Sequence, residues 1–225
     1  IYFGDSLNAP YGTRPLDEVR ELTFHTAGHL IGMGCKCLVI ACNTATTAAV
    51  RALRARYEGV PVIGIEPALK PAVLHKPHGR VLVLATAVTL HEEKFHRLMA
   101  RYENDADIFT LACPGIVEFV ERGIIEGEEL IEYLKQLLRD YIDNPPDAVV
   151  LGCTHYPFVR KAIDSVLGGH AEIFDGGNGT ARETGHQLKL HDLCASPDSL
   201  GNVTILNSKP EMIPISEWLL KLPIE

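Results

Sequence analysis

Two short stretches of the chain place a thiol where chemistry is feasible. In 38-LVIACNTAT-46 and 149-VVLGCTHYP-157 an apolar run stops at a small residue and a cysteine follows, Cys42 in the first and Cys153 in the second. His155 stands two residues beyond Cys153. A thiol at a strand end, just before a helix, meets backbone N–H groups and a positive dipole end. Both favour the thiolate over the thiol, whose free pKa is about 8.5. A thiolate can serve as nucleophile, metal ligand or general base. A lone nucleophile needs one cysteine, so a matched pair argues against simple covalent catalysis. Two bases on opposite faces of one carbon suit inversion: one removes a proton and the other returns one to the far side. An imidazole beside Cys153 can tune its proton traffic. Nothing comparable stands beside Cys42, where a carboxylate from elsewhere is expected.

A metal reading competes with this one. Cys42, Cys153 and His155 could give zinc three ligands and leave a fourth position open. The sequence has no paired-cysteine knuckle and no second histidine at ligand spacing on the same element, so no metal is expected. The remaining cysteines, Cys35, Cys37, Cys113 and Cys194, invite blander readings. Cys35, Cys37 and Cys194 read as small buried hydrophobes, and Cys113, before Pro114 at a strand end, reads as structural and near the site. Six cysteines in 225 residues is far below the density of a disulfide-stapled secreted domain, and a reduced, cytoplasmic setting fits.

The elements that must position these groups follow from the hydrophobic pattern. Strand-like runs occur at Ile1–Gly4, Cys37–Ala41, Pro61–Ile65, Arg80–Ala85, Asp107–Ala112, Ala148–Gly152, Glu172–Asp175 and Asn202–Asn207. Amphipathic stretches such as 16–34 and 126–143 lie between them. This alternation predicts an α/β protein with parallel sheets covered by helices on both faces. The Pro-rich segment 66–79 reads as a crossing between domains. The expected division is a discontinuous lobe one, 1–66 and 176–225, and a lobe two, 67–175. The segments 37-CLVIACNTATTAAVRAL-53 and 148-AVVLGCTHYPFVRKAI-163 repeat one plan, about one per lobe. Ligands of open α/β sheets bind outside the carboxyl ends of strands. Two pseudo-symmetric lobes would therefore bring both cysteines to the cleft between them.

Net charge is −8, and the 21 Lys and Arg residues are scattered. Neither nucleic acid nor an anionic membrane is an expected partner, and the apolar runs are too short to cross a bilayer.

The motifs 3-FGDSLNAPYG-12, 41-ACNTAT-46, 61-PVIGIEPALKPA-72, 113-CPGIVEFVERG-123, 151-LGCTHYP-157 and 175-DGGNGTARE-183 together resemble the glutamate racemases, within the cofactor-independent aspartate/glutamate racemase superfamily. The resemblance spans essentially the whole chain. It implies racemisation of glutamate by two-cysteine proton transfer without pyridoxal phosphate or any other cofactor, supplying D-glutamate for peptidoglycan. Cys42 and Cys153 are then the catalytic acid/bases, His155 the imidazole partnering Cys153, and Glu121 a carboxylate assisting that side. Tyr11, Gly12, Asn43, Thr44 and Thr154 match positions that hold substrate, and Thr86 and Thr89 look like further pocket hydroxyls. Thr86 and Thr89 also suit strand-end and helix-cap roles, and Tyr11–Gly12 suits a turn. Members of this family are often dimers, so a homodimer is expected. The stretches 38–46 and 149–157 hold no Arg or Lys, so backbone N–H groups and hydroxyls would have to bind the substrate carboxylates.

The pattern also departs from the family. Members normally open with a strand ending in Asp-Ser-Gly, whose Asp partners the first cysteine. This sequence starts at what would be the second strand, so one βα unit, roughly 30 residues, is expected to be lacking. Asp5, in FGDS, belongs to a different motif and is not assigned that role. The alternatives are a racemase of aspartate or another small acidic amino acid, and a catalytically impaired ligand-binding homologue without the N-terminal Asp.

Overall fold

Each of the eight apolar runs becomes a strand in the computed structural model, which describes residues 1–223. Along the chain the order is β1 (Tyr2–Gly4), α1 (Leu16–Gly32), β2 (Leu38–Ile40), α2 (Asn43–Arg56), β3 (Val62–Gly64), α3 (Leu69–His75), β4 (Arg80–Ala85) and α4 (Ala87–His91). There follow α5 (Glu93–Ala100), β5 (Asp107–Ala112), α6 (Ile116–Glu121), α7 (Glu128–Leu137), α8 (Arg139–Ile142) and β6 (Ala148–Leu151). The chain continues with α9 (Arg160–Val166), β7 (Glu172–Asp175), α10 (Gly177–Leu190), β8 (Ile205–Asn207) and α11 (Ile213–Leu220). The paired strands are all parallel. The fold is α/β, as the alternation of apolar runs and amphipathic stretches predicts.

Contacts divide the chain into two units, one built from Ile1–Ile65 with Gly177–Leu222 and the other from Glu66–Gly176. In the second unit four strands run in the order β5-β4-β6-β7. β4 is in register with β5 from Arg80 opposite Asp107 to Ala85 opposite Ala112, and with β6 from Val81 opposite Ala148. β4 and β6 are buried on both faces, and Val83, Leu82 and Val150 expose no surface. Such strands must read as continuous apolar runs, because neither face meets water. Leu69, Ala72 and Val73 of α3 close one face together with Phe95 of α5.

In the first unit the ladders are two parallel pairs, β1 with β8 and β2 with β3. Its core joins α1 to α2 through Val19, Ala27, Ala45, Ala48, Ala49 and Leu53. The alanines of α2 let the helices approach closely. Thr46 stitches this helix to the strands: its hydroxyl donates to Ile40 O at 3.0 Å and accepts from Ile65 N at 3.2 Å.

Three local expectations need correction. The Pro-rich segment 66–79 is not merely a crossing, because it contains α3, buried in the second unit. Pro71 is tolerated there since it lies in the first turn, whose N–H groups have no intrahelical partner anyway. The stretch 126–143 is two helices, α7 and α8, divided at Leu138, where φ is −97° and ψ 9°. Leu138 stays fully buried across that break, so the apolar periodicity does not reveal it. Finally, Cys35 and Cys37 are only half-buried and Cys194 is exposed, because it lies beyond α10 in a stretch with no strand or helix to cover it.

Candidate active site

In the first unit, Cys42 is the N-cap of α2. Its backbone is extended (φ −113°, ψ 126°) while its carbonyl accepts the first helical bond, from Thr46 N at 2.8 Å. The half-buried thiol thus sits where the orphan N–H groups of a 14-residue helix begin. Asn43 and Thr44, the first two helical residues, are both buried. Among the described residues, Asn43 Oδ1 accepts no hydrogen bond. A buried amide oxygen in that condition carries a desolvation cost that a ligand N–H donor would relieve. Tyr11 packs with Cys42 against the α1–α2 core, and buried Gly12 follows it in a 3-10 turn, Tyr11–Thr13. Burial, then the hydrogen bond to Asp5, push the Tyr11 phenol far above its ordinary pKa, so it remains a proton donor.

The second unit assembles its candidates at the carboxyl ends of β4, β5 and β6. β6 ends at Leu151, and Gly152 N donates to Leu84 O at 2.7 Å. A Cβ on Gly152 would lie 2.8 Å from that carbonyl and 2.9 Å from Ala85 Cβ, so only glycine lets the chain pass. Cys153, 8% exposed, comes next. His155 Nδ1 lies 3.9 Å from Cys153 Sγ, and His155 Nε2 is 2.8 Å from Glu121 Oε1. The side chains of His155 and Glu121 are 26% and 29% exposed. Burial disfavours the imidazolium, but the hydrogen bonds to Cys153 and Glu121 outweigh it, and the ring is pushed up to about 10. His155 is therefore protonated at neutral pH.

The repeat between the two cysteine segments is imperfect. After Cys42 an α-helix starts at once, whereas Cys153 enters a turn and a 3-10 helix, Tyr156–Val159, before α9. Pro157 has no N–H and cannot make the α-helical bond back to Cys153 O. The segment winds instead through Tyr156 N to Cys153 O at 3.1 Å and Phe158 N to His155 O at 3.2 Å.

The remaining candidates fall as follows. Thr154 is half-buried in this turn. Thr86 is the N-cap of α4: it accepts from Thr89 N at 3.2 Å, and the two hydroxyls are 3.0 Å apart. Cys113 is 2% exposed, with its thiol aimed at Leu111 O and pushed to high pKa by burial. It stays a neutral thiol.

Two participants escaped sequence reasoning. Tyr156, fully buried, donates from its hydroxyl to Cys113 O at 3.0 Å and so ties the turn of Cys153 to the loop leading into α6, which carries Glu121. Asp5 binds the Tyr11 hydroxyl at 2.5 Å. The spacing of Asp5 and Asn8 is a turn signal that could have drawn attention to it. Among the described residues no group of three or more His, Cys, Asp or Glu is arranged to hold a metal ion.

The family model of the Asp/Glu/Hydantoin racemases matches residues 1–184. The chain belongs to that family. Among relatives, the glutamate racemase of Clostridium acetobutylicum is 47% identical over 224 residues, covering 99% of this chain and 87% of the relative. Two solved structures share the fold. One is Escherichia coli glutamate racemase in complex with L-glutamate and the activator UDP-MurNAc-ala, with TM-score 0.82, 30% identity, and coverage of 96% of this chain and 84% of that one. The other is glutamate racemase from Thermus thermophilus in complex with β-chloro-D-alanine, with TM-score 0.77, 33% identity, and coverage of 97% and 81%. The chain is accordingly a racemase, an isomerase by class. No helix among the described residues is long and apolar enough to cross a membrane.

Proposed function

We propose that the chain interconverts L- and D-glutamate, with Cys42 and Cys153 as the two proton-transferring groups. The observation that carries this reading is the Cys153–His155–Glu121 array, which sets a thiol beside an imidazole that is itself held by a carboxylate. One thiolate takes the α-proton and leaves a carbanion. The other thiol delivers its proton to the opposite face, so the carbon is inverted and the two sulfurs exchange protonation states. His155 gives Cys153 a proton-bearing neighbour for that exchange, and Glu121 orients it.

Binding follows from groups already present. The N–H groups opening α2 and the hydroxyls of Thr44, Thr86, Thr89 and Thr154 suit the two carboxylates of glutamate. The unpartnered Asn43 Oδ1 suits the α-ammonium, while Tyr11 and Gly12 border the substrate on the Cys42 side. The similarity to relatives named glutamate racemase favours glutamate over aspartate. The product would supply D-glutamate to peptidoglycan in the cytoplasm, and a homodimer, checked by sedimentation, is the expected assembly.

The test is exchange of the α-hydrogen with solvent deuterium, followed beside racemisation for glutamate and aspartate. Wild type should racemise glutamate, and Cys42→Ser and Cys153→Ser should each lose racemisation in both directions by at least about a thousandfold, the weight of an essential acid/base together with its setting. Near-normal rates in either variant would remove the two-base assignment. Faster turnover of aspartate would move the substrate.

A further inference from the structure

We propose that Asp5 is a positioning residue for the Cys42 half of the site. It would act by fixing the Tyr11 side chain and the turn that carries Gly12. This inference rests on the proposed function, in which Tyr11 and Gly12 border the substrate.

Asp5 directly follows β1, at the carboxyl end of a parallel strand. Its carboxylate gathers three contacts: the Tyr11 hydroxyl donates to Oδ2 at 2.5 Å, and Asn8 Nδ2 lies 3.0 Å from both oxygens. Its carbonyl accepts from the backbone N–H groups of Asn8 and Ala9, both at 3.1 Å. Asp5 thus closes the loop that leads to Tyr11 with its main chain and grips Tyr11 with its side chain.

The loop is held from two further directions. Leu7 N donates to Ser208 Oγ at 2.9 Å, and Asn207 Nδ2 donates to Ser6 Oγ at 3.0 Å, tying it to the end of β8. Arg14 Nε donates to Asn8 O at 2.6 Å, closing the far side of the turn. A segment anchored at both ends leaves the Tyr11 side chain as its main adjustable part, and the short bond to a carboxylate fixes that part. The ring then packs, as Cys42 does, against the α1–α2 core. A turn-forming aspartate would need only its contacts to Asn8 and Ala9. The bond to Tyr11 spans six residues and adds nothing to the turn itself.

The test compares steady-state racemisation and calorimetric binding of D-glutamate for wild type, Asp5→Asn, Tyr11→Phe and the double variant. Asp5→Asn keeps the size of the side chain and one acceptor oxygen but loses the charge. Positioning predicts a rise in KM of about tenfold, exceeding any fall in kcat, in each single variant. It predicts that the double variant is no worse than either, because both changes remove one interaction. A lowered melting temperature with KM unchanged, or KM effects that multiply in the double variant, would overturn the positioning role while leaving the proposed function in place. Absence of both turnover and binding in wild type would overturn the proposed function and this inference with it.

Discussion

Replacing Glu121 by Gln should strip charge from the His155 pair while keeping an acceptor oxygen for Nε2. With Nε2 and Oε1 at 2.8 Å, the charge centres are about 4 Å apart, which corresponds to roughly 4 kcal/mol at an effective dielectric constant near 20. Both side chains are more than a quarter exposed, and solvent screening at such sites removes about half of that figure. The remaining ~2 kcal/mol equals about 1.5 pH units, at 1.36 kcal/mol per unit. The imidazolium of wild type persists to about 10, so in the variant it should be lost near 8.5 by the same arithmetic. Because the folded ring holds its proton more tightly than the free ring, with pKa about 6.5, the linked stabilisation is complete below that value. It disappears as pH rises through the folded pKa. Urea unfolding should therefore show wild type losing stability steadily from about pH 6.5 to about pH 10, and Glu121→Gln losing less in total, its decline ending about 1.5 units lower. NMR titration of the His155 ring, identified by its absence in a His155→Asn variant, reads the shift directly. A His155 titration that stays in place, or moves upward, would refute the electrostatic account of this pair.

Further predictions concern the scaffold. Leu82→Ala on β4 removes a side chain with no exposed surface and should cost about 3 kcal/mol in chemical denaturation, in the range for buried leucines. Gly152→Ala places a methyl 2.8 Å from Leu84 O. It should cost about 2 kcal/mol and lower turnover more than binding, since the displaced residue is Cys153. Thermal unfolding beside kinetics would check this, and a fully active, stable variant would contradict the geometry.

Much of the architecture was legible in the residues because parallel strands buried on both faces leave unbroken apolar text. Arg80–Ala85 carries the same limits in sequence and structure; the more exposed edge strands Asp107–Ala112 and Glu172–Asp175 keep theirs as well, read from their β-branched and aromatic residues. The cysteine and histidine just beyond β6 were legible for a related reason: reactive types follow such an apolar run where the strand ends and the chain turns. Elsewhere one-dimensional signals fell short. Leu138 remains buried on either side of a helix break, so periodicity passed over it. Pro157 was visible, but its consequence, a 3-10 winding after Cys153 where Cys42 has a helix, depends on which bond a missing N–H forbids. The grips of Asp5 on Tyr11 and of Tyr156 on Cys113 O join residues whose proximity only the folded backbone creates.

The tether from Tyr156 to the carbonyl of Cys113 has a practical corollary. His155 and Glu121 belong to segments 34 residues apart, yet one phenol couples the loops that present them. Evolution, or an engineer, can therefore not drift one loop without dragging the other. Insertions between Cys113 and Glu121 would shift the carboxylate that holds His155 from a distance, whereas the solvent-facing side of α7 is free to diversify.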